Sequence, residues 1–301
     1  MLARTSPCES PQHGLSKMRH MTTIRIRGVQ VVHWNPRRHL GSSRLARALP
    51  RVPRVDNFGD LLGPLVVRRL ARSAPGRGDG RRLLAVGSIL HFAKDGDVVW
   101  GTGRNGKIPD EDHRFANLDV RAVRGPLTRA WLLDRGIDTP RVYGDPALLL
   151  PTVFPEFAAS VVPLKRGVTI VPNMHDAPQW RHADGFLDPT ARLWTCIRTI
   201  AESSHVVASS LHGIIVAETF GVPVSLMLPG AEDLFKYRDY FGGTGRELPH
   251  AATMIEEALD HPAPPLTGWD PQPLLQGFPR ELWMDGARLP VPRPASDSAV
   301  Q

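Results

Sequence analysis

The segment from His205 to Leu228 constrains the fold more than any other. His205-Val206-Val207-Ala208 reads as an apolar strand and Ser209-Ser210-Leu211-His212-Gly213 as the turn out of it. Ile214 to Gly221 then reads as an apolar helix and Val222 to Leu228 as the next strand, with Gly221 and Pro223 as the stop between them. A unit of this kind belongs to an α/β sheet, where ligands collect outside the carboxyl ends of the strands. The first helical turn there offers unpaired N–H groups with partial positive charge, a natural seat for an anion. His212 stands at that address. Ser209 or Ser210 can cap the helix, and Gly213, lacking a side chain, lets a ligand approach the backbone beside the imidazole. A histidine can also simply fill such a turn, so the rest of the chain has to decide its role.

The pattern recurs along the chain. Thr22 to His33 reads as an alternating first strand, and Asn57-Phe58-Gly59-Asp60 leads into a helix over Leu61 to Ala71. Short apolar strands end in Gly87-Ser88 and in Gly101-Thr102-Gly103, and Val120 to Val123 ends in Arg124-Gly125-Pro126, with the proline opening a helix to Arg135. Pro151 to Arg166 is rich in turn formers and reads as a domain linker. Gly167 to Val171 restarts the pattern. A helix near Arg192 to Ser203, the His212 unit, a polar loop over Lys236 to Phe241, a helix near Ala251 to Leu259 and a proline-rich tail complete it. The expected fold class is α/β, with two doubly wound Rossmann-like domains facing a cleft. The expected boundaries are a tail over 1–21, an N-terminal domain over 22–155, a C-terminal domain carrying His212 over 156–262, and a proline-rich segment over 263–301.

Composition narrows the functional classes. No apolar run is long enough to span a bilayer, and the first twenty residues lack the apolar core of a signal peptide, so a cytoplasmic location is expected. Cys8 and Cys196 offer neither a disulfide framework nor zinc-ligand spacing, and no metal is expected. Much of the net charge of +7 comes from one segment, Arg37 to Arg54. That segment suits peripheral contact with an anionic membrane, at the inner membrane face, or with an acidic glycan, and equally suits a solvated loop. No nucleic-acid-binding module is present, so no nucleic-acid partner is expected.

Four motifs then occur in order: Asn57-Phe58-Gly59-Asp60, Val123-Arg124-Gly125-Pro126-Leu127-Thr128, Gly144-Asp145-Pro146-Ala147, and Ser209-Ser210-Leu211-His212-Gly213 followed by Glu218-Thr219-Phe220-Gly221-Val222-Pro223. Together they resemble the polysaccharide pyruvyl transferase family over roughly residues 55 to 245, with Gly87-Ser88-Ile89-Leu90 and Trp100-Gly101-Thr102-Gly103 closest to its bacterial exopolysaccharide branch. The resemblance implies a GT-B-like two-domain fold and transfer of the pyruvyl group of phosphoenolpyruvate onto a sugar as a ketal, with release of phosphate. Phosphoenolpyruvate is then a donor substrate and no cofactor is needed. The acceptor is a glycan or a lipid-linked oligosaccharide.

The residue inventory suits that chemistry. A donor with a carboxylate and a phosphate needs cationic side chains and oriented N–H groups, and ketal formation needs a group that gives and takes protons near neutral pH. His212 is the expected general acid or base, as the resemblance also implies for the histidine of this motif. Arg124 is the expected donor clamp, assisted by the Leu211 and His212 amides and the surrounding Ser209, Ser210 and Gly213. Without the resemblance, Arg124 reads as a strand-end arginine paired with a carboxylate. Asn57, Asp60 and Asp145 can hold an acceptor hydroxyl or can cap helices and stiffen turns. Some branches of the family carry an arginine two residues before the histidine, where this chain has Ser210. A second cation must then come from elsewhere: Lys236 is preferred over Arg238, Lys107 and Arg104. Two other functions fit the same layout, a GT-B glycosyltransferase using a nucleotide sugar and a non-catalytic glycan- or membrane-binding protein.

Overall fold

The computed structural model describes residues 21–36, 54–78 and 80–284. Cys8, the tail before Met21, the basic segment from Arg37 up to Arg54 and residues 285–301 lie outside the described residues. In place of one strand over Thr22 to His33, β1 (Met21–Ile26) and β2 (Val29–Trp34) form an antiparallel hairpin. The alternation shifts phase by one residue at the turn, from Ile24 and Ile26 to Val29 and Val31, a break that a reading as one strand passes over. The signal is Arg27-Gly28, both at positive φ (47° and 98°), a two-residue turn whose twist matches that of the strands. Arg27 sits in the left-handed region without being glycine, and its guanidinium donates to the carbonyls of Arg72 and Gly76.

Helix α1 (Phe58–Leu70) follows, then β3 (Arg82–Leu84), β4 (Val98–Trp100) and β5 (Asp119–Ala122), which extend the sheet in parallel from β2. Helix α2 (Pro126–Asp134) opens on its proline, whose missing N–H would have no partner in a first turn. The stretch expected as a linker begins as two short helices, α3 (Leu150–Val153) and α4 (Pro155–Ala158), with Val153 and Phe154 buried.

The second sheet is wholly parallel. It comprises β6 (Arg166–Val171), reached again after the short α5 (Ala177–Trp180) and α6 (Leu193–Ala201) by β7 (Ser203–Ala208), then α7 (Leu211–Thr219) and β8 (Val224–Met227). Helix α8 (Phe235–Gly243) lies where a polar loop was expected: Tyr237, Tyr240 and Phe241, at helical spacing, are all buried. The edge strand β9 (Ala251–Ala252), α9 (Ile255–Asp260) and α10 (Gln272–Gln276) complete the described chain. Strand order follows chain order in both sheets, so the reversal expected of a doubly wound sheet is reduced to one bridge, Phe186 against the outer side of Ile170.

One hydrophobic cluster runs through both halves, from Val31, Phe58 and Trp100 to Val206, Ile214 and Tyr240. The proline-rich segment contributes to it. Past α10 the chain returns to the first sheet, where the Trp283 indole donates to the Ile26 carbonyl at 2.9 Å and the Trp100 indole to that of Leu274 at 2.8 Å. Phe278 packs between those two indoles, edge-on to Trp100 and stacked on Trp283.

Candidate active site

The carboxyl ends of both sheets open onto a cavity of about 360 Å³. That is within the roughly 300–1,000 Å³ of small-molecule sites. The first half supplies Asn57, Asp60, Ser88, Lys107, Arg124 and Asp145 to its wall, and the second half Ser210, Leu211, His212, Glu232 and Lys236.

His212 sits in the first turn of α7. Ser210 is the cap, its hydroxyl accepting from Gly213 N at 3.2 Å. The Leu211 and His212 N–H groups have no hydrogen-bond partner among the described residues, as the first donors of a helix do not. His212 Nε2 faces Asp145 Oδ2 at 3.6 Å. Both atoms are buried and without a hydrogen bond, while Asp145 Oδ1 accepts from Ala147 N at 2.9 Å. Asp145 thus caps the 3-10 turn Pro146–Leu149, one of the two roles expected of it, while its second oxygen faces the imidazole, a contact the sequence did not suggest. The other ring nitrogen, Nδ1, lies beside Gly59, where a Cβ would approach it to within 2.3 Å. The glycine of Asn57-Phe58-Gly59-Asp60 is thus what makes room for the histidine.

Asp60 lies on the cavity wall with Asn57 Nδ2 donating to its carboxylate. Burial raises its pKa above the ordinary carboxylate value, although the Asn57 hydrogen bond and the nearby His212 and Lys236 pull the other way. Lys236 is 12% exposed and pairs with Glu232 at 3.1 Å. Burial lowers its pKa and Glu232 opposes that shift.

Arg124 reaches the cavity with most of its hydrogen bonds already made. It is 1% exposed. Nε and Nη2 bind the buried Asp239, at 3.1 Å and 3.0 Å, Nη2 also donates to the Arg104 carbonyl, and Nη1 donates to Ser88 Oγ at 2.6 Å. It is paired with a carboxylate, as its strand-end position alone suggests, and it also lines the cavity.

Two expected site residues lie behind the wall. Ser209 Oγ accepts from Asn173 N, and its carbonyl accepts from the Tyr237 hydroxyl, so it ties the turn to β6 and α8. The space in front of Gly213 is filled by Val171, whose Cγ1 would meet a Cβ at 2.7 Å; the glycine admits a neighbouring strand, not a ligand. Of the other cations considered, Lys107 lines the cavity. Arg104 does not: it stacks on Trp131 and Phe235 and pairs with Asp110. Arg238 is likewise not on the wall.

Asp239, Glu232 and Ser88 were not foreseen as site residues. Asp239 lies 115 residues from its arginine, beyond any local pattern, whereas Ser88 sits in a small-residue turn of the kind that marks strand ends. Among the described residues no group of His, Cys, Asp and Glu is arranged to hold a metal ion, and no helix is long and apolar enough to cross a membrane.

A histidine and several cations, drawn from the carboxyl ends of both sheets, share one cavity. The sequence model of one family, Polysaccharide pyruvyl transferase, matches residues 76–227, which include Ser88, Lys107, Arg124, Asp145 and His212. The chain belongs to the polysaccharide pyruvyl transferase family. It is similar to the succinoglycan biosynthesis protein ExoV of Rhizobium meliloti (strain 1021), with 32% identity over 171 residues, 52% of this chain and 52% of that protein. The match spans about half the length of that curated relative. No solved structure matches the chain.

Proposed function

We propose that the protein transfers the pyruvyl group of phosphoenolpyruvate to two hydroxyls of one sugar, in a polysaccharide or its lipid-linked precursor, forming a ketal and releasing phosphate. One observation carries the reading: His212 and Lys236 from one half and Arg124 and Lys107 from the other share a single cavity. A proton carrier among cations suits a donor bearing both carboxylate and phosphate, which supports the reading.

In the transfer the methylene carbon gains a proton, and a first hydroxyl oxygen bonds to the neighbouring carbon and gives up its proton. The carbon–oxygen bond to phosphate then breaks with its electron pair leaving on phosphate, and the second hydroxyl takes the vacated position. Of the two hydroxyl protons released, one ends on the new methyl group and the other leaves with phosphate or solvent. His212 gives and takes these protons through Nδ1, with Asp145 behind Nε2 stabilising the imidazolium. Asp60, with its raised pKa and its place beside His212, is suited to hold an acceptor hydroxyl. Lys236, Lys107 and the open N–H groups of α7 receive the donor's anionic groups, and Arg124 forms the wall behind them.

The similarity to a succinoglycan biosynthesis protein supports an exopolysaccharide acceptor. A cytoplasmic enzyme meeting its acceptor at the inner membrane face accords with that reading, and two sheets facing one cleft accord with a GT-B-like arrangement. The test is phosphate release from phosphoenolpyruvate with a panel of lipid-linked and nitrophenyl sugars, followed by mass detection of the pyruvyl group. His212→Ala should bind phosphoenolpyruvate yet lose about 10²–10⁴ in rate. Binding of nucleotide sugars, with no binding of phosphoenolpyruvate, would sink the assignment.

A further inference from the structure

We infer that the donor's anionic group binds between Lys107 and Lys236 by displacing Glu232, whose carboxylate occupies that position in the free protein. The inference rests on the function proposed above and adds what the site does when empty. Glu232 pairs with Lys107 at 2.5 Å through Oε1 and with Lys236 at 3.1 Å through Oε2, and all three side chains line the cavity. One oxygen on each ammonium, one ammonium from each half of the molecule, is the geometry a phosphate or carboxylate ligand would adopt.

The charges favour an exchange. Arg124 is matched by Asp239, and Lys107 and Lys236 both pair with the single carboxylate of Glu232. A dianion offsets both lysines, where Glu232 offsets one. Glu232 is 9% exposed; burial opposes its charged form, but Lys236 and Lys107 outweigh that and hold its pKa below the ordinary value. Without an anion in place, Lys236 would be a buried, unpaired ammonium, which is costly. The loop carrying Glu232 is anchored on both sides. Gly230 N donates to Asp176 at 3.3 Å, and Phe235 packs against Gly106 so closely that a Cβ there would meet it at 2.6 Å. Displacement is therefore a rotation of the Glu232 side chain with the loop in place. The consequence is selectivity: a ligand must outcompete a tethered carboxylate, which a phosphate-bearing acid can do and a simple monocarboxylate cannot.

The test is calorimetric titration of inorganic phosphate and of phosphoenolpyruvate into the wild type, Glu232→Gln and Glu232→Asp. Glutamine removes the competing charge, and aspartate keeps it but cannot reach both lysines. Tightening by about tenfold or more, equivalent to ~1.4 kcal/mol, is expected for Glu232→Gln, and a smaller gain for Glu232→Asp. The gain should vanish when Lys107→Ala is added. Unchanged or weaker binding of phosphate in both variants would overturn the inference, since it would make Glu232 a positioning group for the lysines. Tighter phosphate binding without any binding of phosphoenolpyruvate would support the anion site and overturn the donor assignment. Turnover of phosphoenolpyruvate without tightening would overturn the displacement alone.

Discussion

At the scale of single residues, the site depends on side chains that are absent as much as on those present. A Cβ built on Gly59 would meet His212 Nδ1 at 2.3 Å, so Gly59→Ala is expected to displace the imidazole from its position facing Asp145. The expected outcome is a kcat reduced by at least tenfold with little change in Tm, because the displaced ring faces a cavity rather than the core. An unchanged kcat would show that the histidine has a second productive position. Asp60 makes a prediction about pH. Burial raises its pKa in the folded protein above the unfolded value, so the folded state binds the proton more tightly. Its contribution to stability is complete below the unfolded pKa of about 4 and is lost as pH rises through the folded value. Asp60→Asn should therefore raise Tm at neutral pH and lose that advantage on acidification below about pH 4. A difference in Tm that is the same at both pH values would refute this account.

At the scale of elements, two junctions hold the site. Asp239 on α8 accepts from Arg124 before α2 and from both the N–H and the hydroxyl of Thr128 within α2, and all three residues are buried. Removing one member of a buried charge pair strands the other, so Asp239→Ala is expected to cost about 3–5 kcal/mol in urea unfolding. The second junction is the contact of α7 with β6. Gly213→Ala must move Val171, met at 2.7 Å, and a cost of about 1–3 kcal/mol in the same measurement is expected. If Gly213→Ala were neutral in stability yet weakened donor binding, the glycine would serve the ligand after all. The elements themselves were unequally legible. The strand, turn, helix and strand around His212 could be read directly, because apolar runs there are bounded by serine caps and a Gly-Val-Pro stop. The β1–β2 hairpin and α8 were read less directly, since the tight turn leaves only a one-residue shift in the apolar phase at Arg27-Gly28 and charged residues conceal a buried face at positions 237, 240 and 241.

At the scale of the whole molecule, the chain closes on itself. The segment after α10 carries Trp283, fully buried with its indole bonded to the first hairpin, and places Phe278 against Trp100. Trp283→Ala should destabilise by about 3–5 kcal/mol, as for other large buried side chains. Because one hydrophobic cluster spans both sheets, unfolding should remain a single transition whether followed by circular dichroism or by donor binding. Two separated transitions would mean that the halves fold independently.

By itself, the sequence determined the α/β class, the address of His212 and the motifs that carry the family, because apolar periodicity, caps and glycine stops are local properties. Only the tertiary structure decided which charges are free to meet a ligand. Arg124 and Asp239, or Lys107 and Glu232, are ordinary residues in isolation, and their pairings span more than 100 residues, which no short-range pattern encodes. Electrostatic partners are chosen by distance and burial in the folded chain, so the chemistry of the cleft became readable once the two halves had met.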